Sequence, residues 1–218
     1  WMGSFDEMNK RIEDKLSEGF RCVKLKIGAI DFDSEMTLIK SIRKRYSKSA
    51  IELRVDANGG FTAGDAMSRL EELSKYDIHS IEQPIRQKQW HEMSYLCANT
   101  PVPIALDEEL IGVNIPKMKD DLLDFIKPQY IVLKPTLHGG MKGTREWIEK
   151  SRERNVDSWI TSALESSVGL SAIAQLTSDI YGNDITMAQG LGTGALFADN
   201  LPSQTEIRGD KIWMTGKK

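Results

Sequence analysis

Three acidic residues of the sequence each stand at the end of a short apolar run: Asp56, Glu82 and Asp107. A single acid at such a place commonly caps the helix that follows, and for one acid we would favour that interpretation. Three carboxylates that converge at the ends of neighbouring strands repel one another unless a cation neutralises them. Carboxylate oxygens together with water suit octahedral Mg²⁺, with Mn²⁺ as a substitute. The pattern therefore predicts a metal site formed by these three acids.

Two lysines alternate within another apolar run. Because alternate side chains of a strand share a face, Lys24 and Lys26 would project to the same side. Lys134 ends a later run and would approach a metal from the opposite side. Burial and a nearby Mg²⁺ both disfavour the ammonium form, so we expect one lysine to have a lowered pKa and to act as a general base. Alternating lysines are common on exposed strands, so this hypothesis depends on the acids and on Lys134 as well.

Apolar runs rich in β-formers alternate with helical periodicity along the whole chain. In the first helical segment Phe5, Met8, Ile12 and Leu16 recur at intervals of three and four residues, which is typical of an amphipathic helix. Strands that alternate with helices are joined by crossover connections, and such strands form a parallel sheet. The predicted strands are 22–27, 51–56, 78–82, 102–106, 130–134, 157–161 and 185–188.

The polar residues at the strand ends recur about every 25 to 30 residues, from Lys26 to Gly190. With a partial strand at residues 1–3, this rhythm makes eight strand–helix units. Eight such units with polar residues at the carboxyl ends of the strands are typical of a TIM-type barrel, whose active site lies at that end. The predicted fold class is therefore α/β, a TIM-type barrel.

Composition excludes several classes of protein. The 218 residues carry 29 basic and 32 acidic side chains, and neither sign is clustered, so we expect no nucleic-acid partner. No apolar run approaches the ~18 residues of a membrane span, so we expect no membrane partner. Cys22 and Cys97 lie far apart with no secretory signal before them, which favours free thiols and a cytoplasmic location.

The end of the sequence predicts an appendage to the barrel. Residues 205–214 read as a hairpin around Gly209 and Asp210. We expect residues 1–204 to form the barrel. Residues 205–218 would then be a C-terminal segment that packs on an N-terminal domain missing from this chain.

Five motifs stand out along the chain: Lys24-Leu25-Lys26, Val55-Asp56-Ala57-Asn58, Ile81-Glu82-Gln83-Pro84, Leu106-Asp107-Glu108 and Leu133-Lys134-Pro135. They resemble those of the enolase superfamily, and the resemblance covers essentially the full chain. In order and spacing they are similar to the muconate-lactonising subgroup, and segments 162–169 and 190–193 most resemble the o-succinylbenzoate synthase family of menaquinone biosynthesis. The resemblance implies a (β/α)7β barrel that an N-terminal α+β domain caps.

The resemblance also implies a reaction, that of a lyase. The substrate would be a dicarboxylate, 2-succinyl-6-hydroxy-2,4-cyclohexadiene-1-carboxylate, which loses water in a syn elimination to give o-succinylbenzoate. Lys26 would remove the proton α to the ring carboxylate, and Lys24 and Lys134 would add positive charge. The three acids would hold Mg²⁺, which stabilises the charge that develops on that carboxylate.

The second carboxylate of such a substrate needs a separate site. Backbone N–H groups at Ser162 and Ala163, and at Gly190 and Leu191, are candidates, because they follow the last two predicted strands. Asn58 would orient Asp56 or contact the substrate. Taken alone, the glycines of segment 190–194 would indicate no more than an ordinary turn.

Other reactions of the subgroup use the same five motifs, so those motifs cannot separate them. N-succinylamino acid racemase is the closest competitor because it also recognises a succinyl carboxylate. Dipeptide epimerases usually carry two aspartates where this chain has Gly190-Leu191-Gly192, and mandelate racemase-like members use a histidine–aspartate pair instead of the lysine at Lys134. A non-catalytic barrel would not need to keep five polar groups.

Overall fold

Strands and helices alternate along the chain in the computed structural model, which describes residues 5–182, 185–192, 199–202 and 204–215. The strands are β1 (Cys22–Lys26), β2 (Glu52–Asp56), β3 (Ile78–Glu82), β4 (Ile104–Leu106), β5 (Tyr130–Leu133), β6 (Asp157–Ile160), β7 (Thr205–Arg208) and β8 (Lys211–Met214). The helices are α1 (Phe5–Ser17), α2 (Phe32–Arg45), α3 (Ala66–Ser74), α4 (Trp90–Asn99), α5 (Pro116–Ile126), α6 (Gly140–Arg152) and α7 (Ser167–Tyr181), and a short 3-10 helix spans Glu108–Leu110. Six of the seven predicted strands are therefore confirmed.

The chain forms two compact units. The first contains the described residues up to 109 together with 121–130, and the second contains 110–120 and the described residues from 131 onward. Within the first unit, β1, β2, β3 and β4 are parallel and adjacent in chain order. Within the second unit, β6 lies beside β5, and the Thr161 amide donates to the Leu133 carbonyl at 2.8 Å.

The strand register of the first unit places the polar strand ends side by side. Lys26 is the partner of Asp56 in β2, and Asp56 is the partner of Glu82 in β3. In β1 the buried Val23 and Leu25 alternate with the two lysines, which therefore share the other face. The register thus gathers the lysines and two of the acids at one end of the sheet.

Helix α2 shows how the helices are fixed against this sheet. Its apolar stripe is buried through Met36, Ile39 and Ile42, and each fully buried side chain of this size stabilises the fold by about 1.5–3 kcal/mol. Near the end of the helix, Arg43 donates to the main-chain carbonyls of Ile51, Tyr76 and Asp77. One guanidinium therefore holds the segments that enter β2 and β3.

The loops after β1 and β2 contact each other through glycine. A Cβ atom on Gly60 would lie 2.6 Å from the Gly28 carbonyl oxygen and 2.9 Å from that of Ala57. Only a residue without a side chain permits this approach, which brings the loop after Lys26 against the loop after Asp56.

The predicted strand at 185–188 is wrong. The described residues of this segment form no strand, and only a single bridge joins Gly190 to Thr161. A local contact accounts for the missing strand. The side-chain oxygen of Gln189 accepts the Ile160 amide at 2.7 Å, in the place where a main-chain carbonyl would accept it in a regular parallel pair. The predicted partial strand at 1–3 lies outside the described residues.

The predicted C-terminal hairpin is confirmed. Strands β7 and β8 are antiparallel, with Ile207 opposite Ile212, and their side chains are mostly exposed. None of the described helices has the length and hydrophobicity required to cross a bilayer. Both cysteines are free thiols, and burial raises the pKa of each to about 12.

Candidate active site

Lys24 joins two of the predicted metal ligands. Its Nζ donates to both carboxylate oxygens of Glu82, at 2.9 and 3.1 Å, and to Oδ2 of Asp56 at 3.2 Å. The two acids are almost fully buried, whereas the lysine side chain keeps 38% of its surface exposed. The end of β1 and the ends of β2 and β3 are thus connected by charge-assisted hydrogen bonds.

Lys24 and the buried acids around it shift one another's pKa values. Burial raises the pKa of Glu82 most, Lys24 opposes the rise, and the neighbouring charges of Asp56 and Asp107 add to it, so that the pKa is about 7. Burial alone would lower the pKa of Lys24, but Glu82 and Asp56 outweigh it and raise that pKa well above its ordinary value. Lys24 therefore stays protonated because two carboxylates bind it, and the lowered pKa expected of a general base is not a property of this lysine.

Lys26 has a different environment from Lys24. It is exposed, and its Nζ donates to the side-chain oxygen of Asn58 at 3.0 Å, which is a neutral partner. Asn58 has a positive φ of 44°, its amide N–H donates to Asp56, and its side-chain NH₂ donates to Glu108 at 3.0 Å. Asn58 therefore links the exposed lysine to the acids at the ends of β2 and β4.

Gln83, which directly follows Glu82, holds the backbone after Asp107. Its side-chain oxygen accepts the amides of Asp107 and Glu109, each at 3.2 Å, and its NH₂ group donates to the Ile85 carbonyl at 3.0 Å. Gln83 is fully buried and has a positive φ of 36°. A single side chain thus positions the third acid of the predicted metal site relative to the second.

Replacing Gln83 by leucine should destabilise the protein. The change removes the acceptor of two buried amides, and each unsatisfied buried donor costs about 1–3 kcal/mol. We expect the free energy of unfolding in urea to fall by about 2–5 kcal/mol. Gln87→Leu, in an exposed part of the same loop, is the matched control. Equal stabilities of the two variants would contradict the assignment.

The acidic residues fit a hard divalent cation. Three buried carboxylates lie at the strand ends, and Lys24 is in direct contact with two of them. In addition, Oε2 of Glu108 is buried without a hydrogen-bond partner in the described part of the chain. Oxygen donors with excess negative charge are what Mg²⁺ and Mn²⁺ prefer. Among the described residues, however, no three histidine, cysteine or acidic side chains already converge as ligands, so the three-acid site stays a prediction.

In the second unit, Lys134 directly follows β5 and is partly exposed. Its main-chain N–H donates to Nδ1 of His138 at 2.8 Å, and its carbonyl accepts the His138 amide at 3.1 Å. His138 is fully buried. Burial lowers the pKa of His138 to about 3, with smaller contributions from the charges of Lys134 and Lys119.

The low pKa of His138 predicts a pH dependence of stability. Between the ordinary histidine pKa of 6.5 and about 3, the unfolded chain binds a proton that the folded chain does not, so folding weakens as the pH falls. From pH 7 to pH 5 this group should remove about 2 kcal/mol of stability. Urea unfolding at both pH values should show that His138→Asn loses less stability than the unmodified protein, by about that amount. Parallel losses in the two proteins would contradict the low pKa.

The predicted carboxylate site after β6 contains a carboxylate of the protein itself. Oε2 of Glu165 accepts the Ser162 hydroxyl at 2.6 Å and the Ala163 amide at 2.8 Å, and Oε1 accepts the Thr136 hydroxyl at 2.5 Å. Burial opposes ionisation, but these hydrogen bonds hold the pKa of Glu165 below its ordinary value. These donors therefore bind a carboxylate group, although the one they bind here belongs to Glu165.

Gly190 and Leu191 lie close to the same segment. The Ser162 amide donates to the Gly190 carbonyl at 3.0 Å, and the Gly190 amide donates to the Ile160 carbonyl at 2.9 Å. The prediction that these two backbone N–H groups bind a carboxylate is therefore wrong, because both are engaged in main-chain hydrogen bonds. A Cβ on Gly190 would lie 2.2 Å from the Thr161 hydroxyl oxygen, so this position requires glycine. Leu191 is buried.

Sequence reasoning therefore located residues that the structure brings together within each unit. Lys24, Asp56 and Glu82 are in direct contact, and Asn58 is bonded to Lys26. No role was predicted for five further residues, Gln83, Glu108, Glu109, His138 and Glu165, although Gln83 and Glu108 lie within the quoted motifs. Each of the five follows a strand end by no more than five residues, which many loop residues also do.

Comparison with known proteins decides the family of the chain. The family model described as Enolase C-terminal domain-like matches residues 7–209. The chain belongs to this family. The predicted membership of the enolase superfamily is thereby confirmed.

Two curated relatives and one solved structure extend this result. The chain is 55% identical to o-succinylbenzoate synthase of Desulfotalea psychrophila over 96% of its own length and 56% of that protein. It is 27% identical to L-Ala-D/L-Glu epimerase of Bacillus subtilis over 79% of its length and 47% of that protein. The crystal structure of MenC from Desulfotalea psychrophila LSv54 is 52% identical, with a TM-score of 0.91 over 97% of this chain and 58% of that one. The predicted barrel class is confirmed, and the chain spans about half the length of the curated relatives it matches.

Proposed function

We propose that this protein is a lyase that dehydrates 2-succinyl-6-hydroxy-2,4-cyclohexadiene-1-carboxylate to o-succinylbenzoate, a step of menaquinone biosynthesis. The observation that carries the proposal is the 55% identity to an o-succinylbenzoate synthase over 96% of the chain, against 27% for the epimerase. The lysines and acids at the ends of β1, β2 and β3 supply the acid–base and electrostatic groups that the reaction needs.

The environments of the two β1 lysines support different roles. Lys24 is bound by Asp56 and Glu82, and its raised pKa keeps it protonated, so it serves as a fixed positive charge. Lys26 is bonded to the neutral amide of Asn58, so loss of its proton leaves no buried carboxylate unpaired. We therefore assign the general base to Lys26.

In the proposed elimination one lysine, Lys26, both removes the proton and returns it to the leaving group. The free amine of Lys26 takes the proton α to the ring carboxylate, and the electron pair of the C–H bond moves into that carboxylate as an enediolate. The electrons then return to form the new ring double bond as the C–OH bond breaks. The Lys26 ammonium gives its proton to the departing hydroxyl, so water leaves and the free amine is restored. Formation of the aromatic ring drives this second step.

The acids and Lys134 would stabilise the charge of the intermediate. Asp56, Glu82 and Asp107 would hold Mg²⁺, or Mn²⁺ as a substitute, and the ion when bound supplies Lewis-acid stabilisation of the developing dianion. Lys134 would add a second positive charge without exchanging protons. The Ser162 hydroxyl and the Ala163 amide, beside Gly190 and Leu191, would receive the succinyl carboxylate. Because Glu165 binds both of these donors, its side chain would have to give way to the substrate.

A racemase of N-succinylated amino acids is the second candidate. It would use the same lysines and acids and would also bind a succinyl group, so the catalytic residues do not separate the two reactions. A dipeptide epimerase is less well supported, since Gly190 and Gly192 offer no carboxylates to hold a substrate ammonium group. The proposed substrate is in either case a small anionic molecule.

Activity assays separate these candidates. The complete protein should be supplied with Mg²⁺ and the cyclohexadiene substrate, and the aromatic product followed by its ultraviolet absorbance. We expect activity to be lost on chelation with EDTA and to return when Mg²⁺ or Mn²⁺ is added. Parallel samples with N-succinylated amino acids and with dipeptides test for loss of optical activity. Racemisation without formation of the aromatic product would refute the dehydratase.

A further inference from the structure

His138 is a buried titratable residue that the proposed reaction does not use. It lies four residues after Lys134, in the second unit, in the turn that joins β5 to α6. Both main-chain polar groups of Lys134 bond to this turn. The Lys134 N–H donates to Nδ1 of the His138 ring at 2.8 Å, and the Lys134 carbonyl accepts the amides of Leu137 and His138 at 2.8 and 3.1 Å.

The His138 ring supplies a hydrogen-bond acceptor where a main-chain carbonyl of a neighbouring strand would otherwise do so. At the end of β5, the Leu133 carbonyl still accepts a main-chain amide, that of Thr161 in the segment after β6. The next amide, that of Lys134, instead donates to the imidazole. A ring nitrogen therefore ends the regular strand pattern and determines the direction in which the chain leaves β5 at Lys134.

The main chain of His138 is packed closely, and the ring is buried. The main-chain carbonyl of His138 lies against α6, where a Cβ on Gly143 would lie 2.1 Å from the His138 oxygen. The charges of Lys134 and Lys119 disfavour a positive charge on the ring. The neutral ring accepts through Nδ1, so its hydrogen is on Nε2, which is buried without a hydrogen-bond partner among the described residues.

We infer that His138 is a positioning residue, whose neutral ring fixes the backbone of Lys134 and thereby the place from which that lysine acts. The inference deepens the proposed function, and its mechanistic part depends on that function. A shift of about 1 Å in a catalytic group is enough to reduce turnover on the order of 100-fold.

A matched pair of variants tests this role. Asparagine places an oxygen where Nδ1 lies and keeps an acceptor for the Lys134 amide, whereas leucine has a similar branched shape without an acceptor. We expect His138→Leu to lower kcat of the complete, Mg²⁺-loaded protein by roughly 10- to 100-fold, with KM changed by less than about threefold. His138→Asn should retain kcat within about threefold of the unmodified protein. A purely structural role would lower the thermal midpoint without this difference in kcat.

Two measurements do not depend on activity. In the unmodified protein, the ¹⁵N resonances of the His138 ring should show Nδ1 without a hydrogen and Nε2 with one. The Lys134 amide should exchange with deuterium at least about tenfold faster in His138→Leu than in His138→Asn. A hydrogen on Nδ1, or equal exchange in the two variants, would overturn the inference.

The proposed function and the positioning role fail in different ways. If the unmodified protein forms no aromatic product, the proposed function is refuted, and the exchange of the Lys134 amide alone decides the positioning role. If the unmodified protein is active and the leucine and asparagine variants have equal kcat, the positioning role is refuted and the dehydratase stands.

Discussion

We expect the replacement of Lys26 by alanine to abolish dehydration while Mg²⁺ still binds. The variant lacks the amine that takes the α proton, and loss of a positioned general base costs about 10²- to 10⁴-fold in kcat. The acids at the strand ends keep their contacts with Lys24, so the metal affinity should change by less than about threefold. Turnover is measured from the appearance of aromatic product, and Mg²⁺ binding by isothermal titration calorimetry.

Lys44→Ala is the control for Lys26→Ala. Lys44 is an exposed lysine in the last turn of α2, and its removal should leave both turnover and metal binding unchanged. If Lys26→Ala retained the turnover of the control, Lys26 could not be the base. Transfer of solvent deuterium to the α carbon of the substrate in that variant would lead to the same conclusion.

We expect the replacement of Asp56 by asparagine to weaken Mg²⁺ binding by at least about 100-fold, because it removes one unit of charge from a buried set of oxygen donors. The amide keeps the size of the side chain and an oxygen that can still accept the Asn58 amide, so the fold should persist. Titration calorimetry with Mg²⁺ and with Mn²⁺ measures the loss. It should be accompanied by a fall in kcat at limiting metal that a higher metal concentration partly restores.

Asp33→Asn, which removes an exposed charge from the first turn of α2, is the matched control for Asp56→Asn. The control corrects for the change in the net charge of the protein. Identical Mg²⁺ affinities for the two variants would exclude Asp56 as a ligand, and with it the three-acid site.

The alternation of strands and helices could be predicted from sequence because parallel strands are buried on both faces and therefore read as apolar runs. The polar residues that interrupt these runs mark the strand ends, which is why Asp56 and Glu82 could be located. The segment at 185–188 has the same composition as a strand. Its pairing is prevented by the side chain of Gln189, and no local pattern reveals that contact.

The parts of the site that sequence could not predict depend on contacts between distant residues. The role of Gln83 depends on a positive φ that directs its amide toward the segment of Asp107 and Glu109. The raised pKa of Lys24 depends on two carboxylates at distances of about 3 Å, whereas sequence supplied only the burial that lowers it.

The alternating arrangement of β1 has a consequence for how this protein can change in evolution. Val23 and Leu25 are buried on one face of the strand, whereas Lys24, on the other face, contacts the acids, and Lys26 contacts Asn58. Inserting or deleting one residue inside this strand would turn one ammonium group into the apolar layer. Exchange of Val23 or Leu25 for another apolar residue of similar size keeps this arrangement, whereas the length of β1 is not free to vary, and loop insertions are confined to the segments outside it.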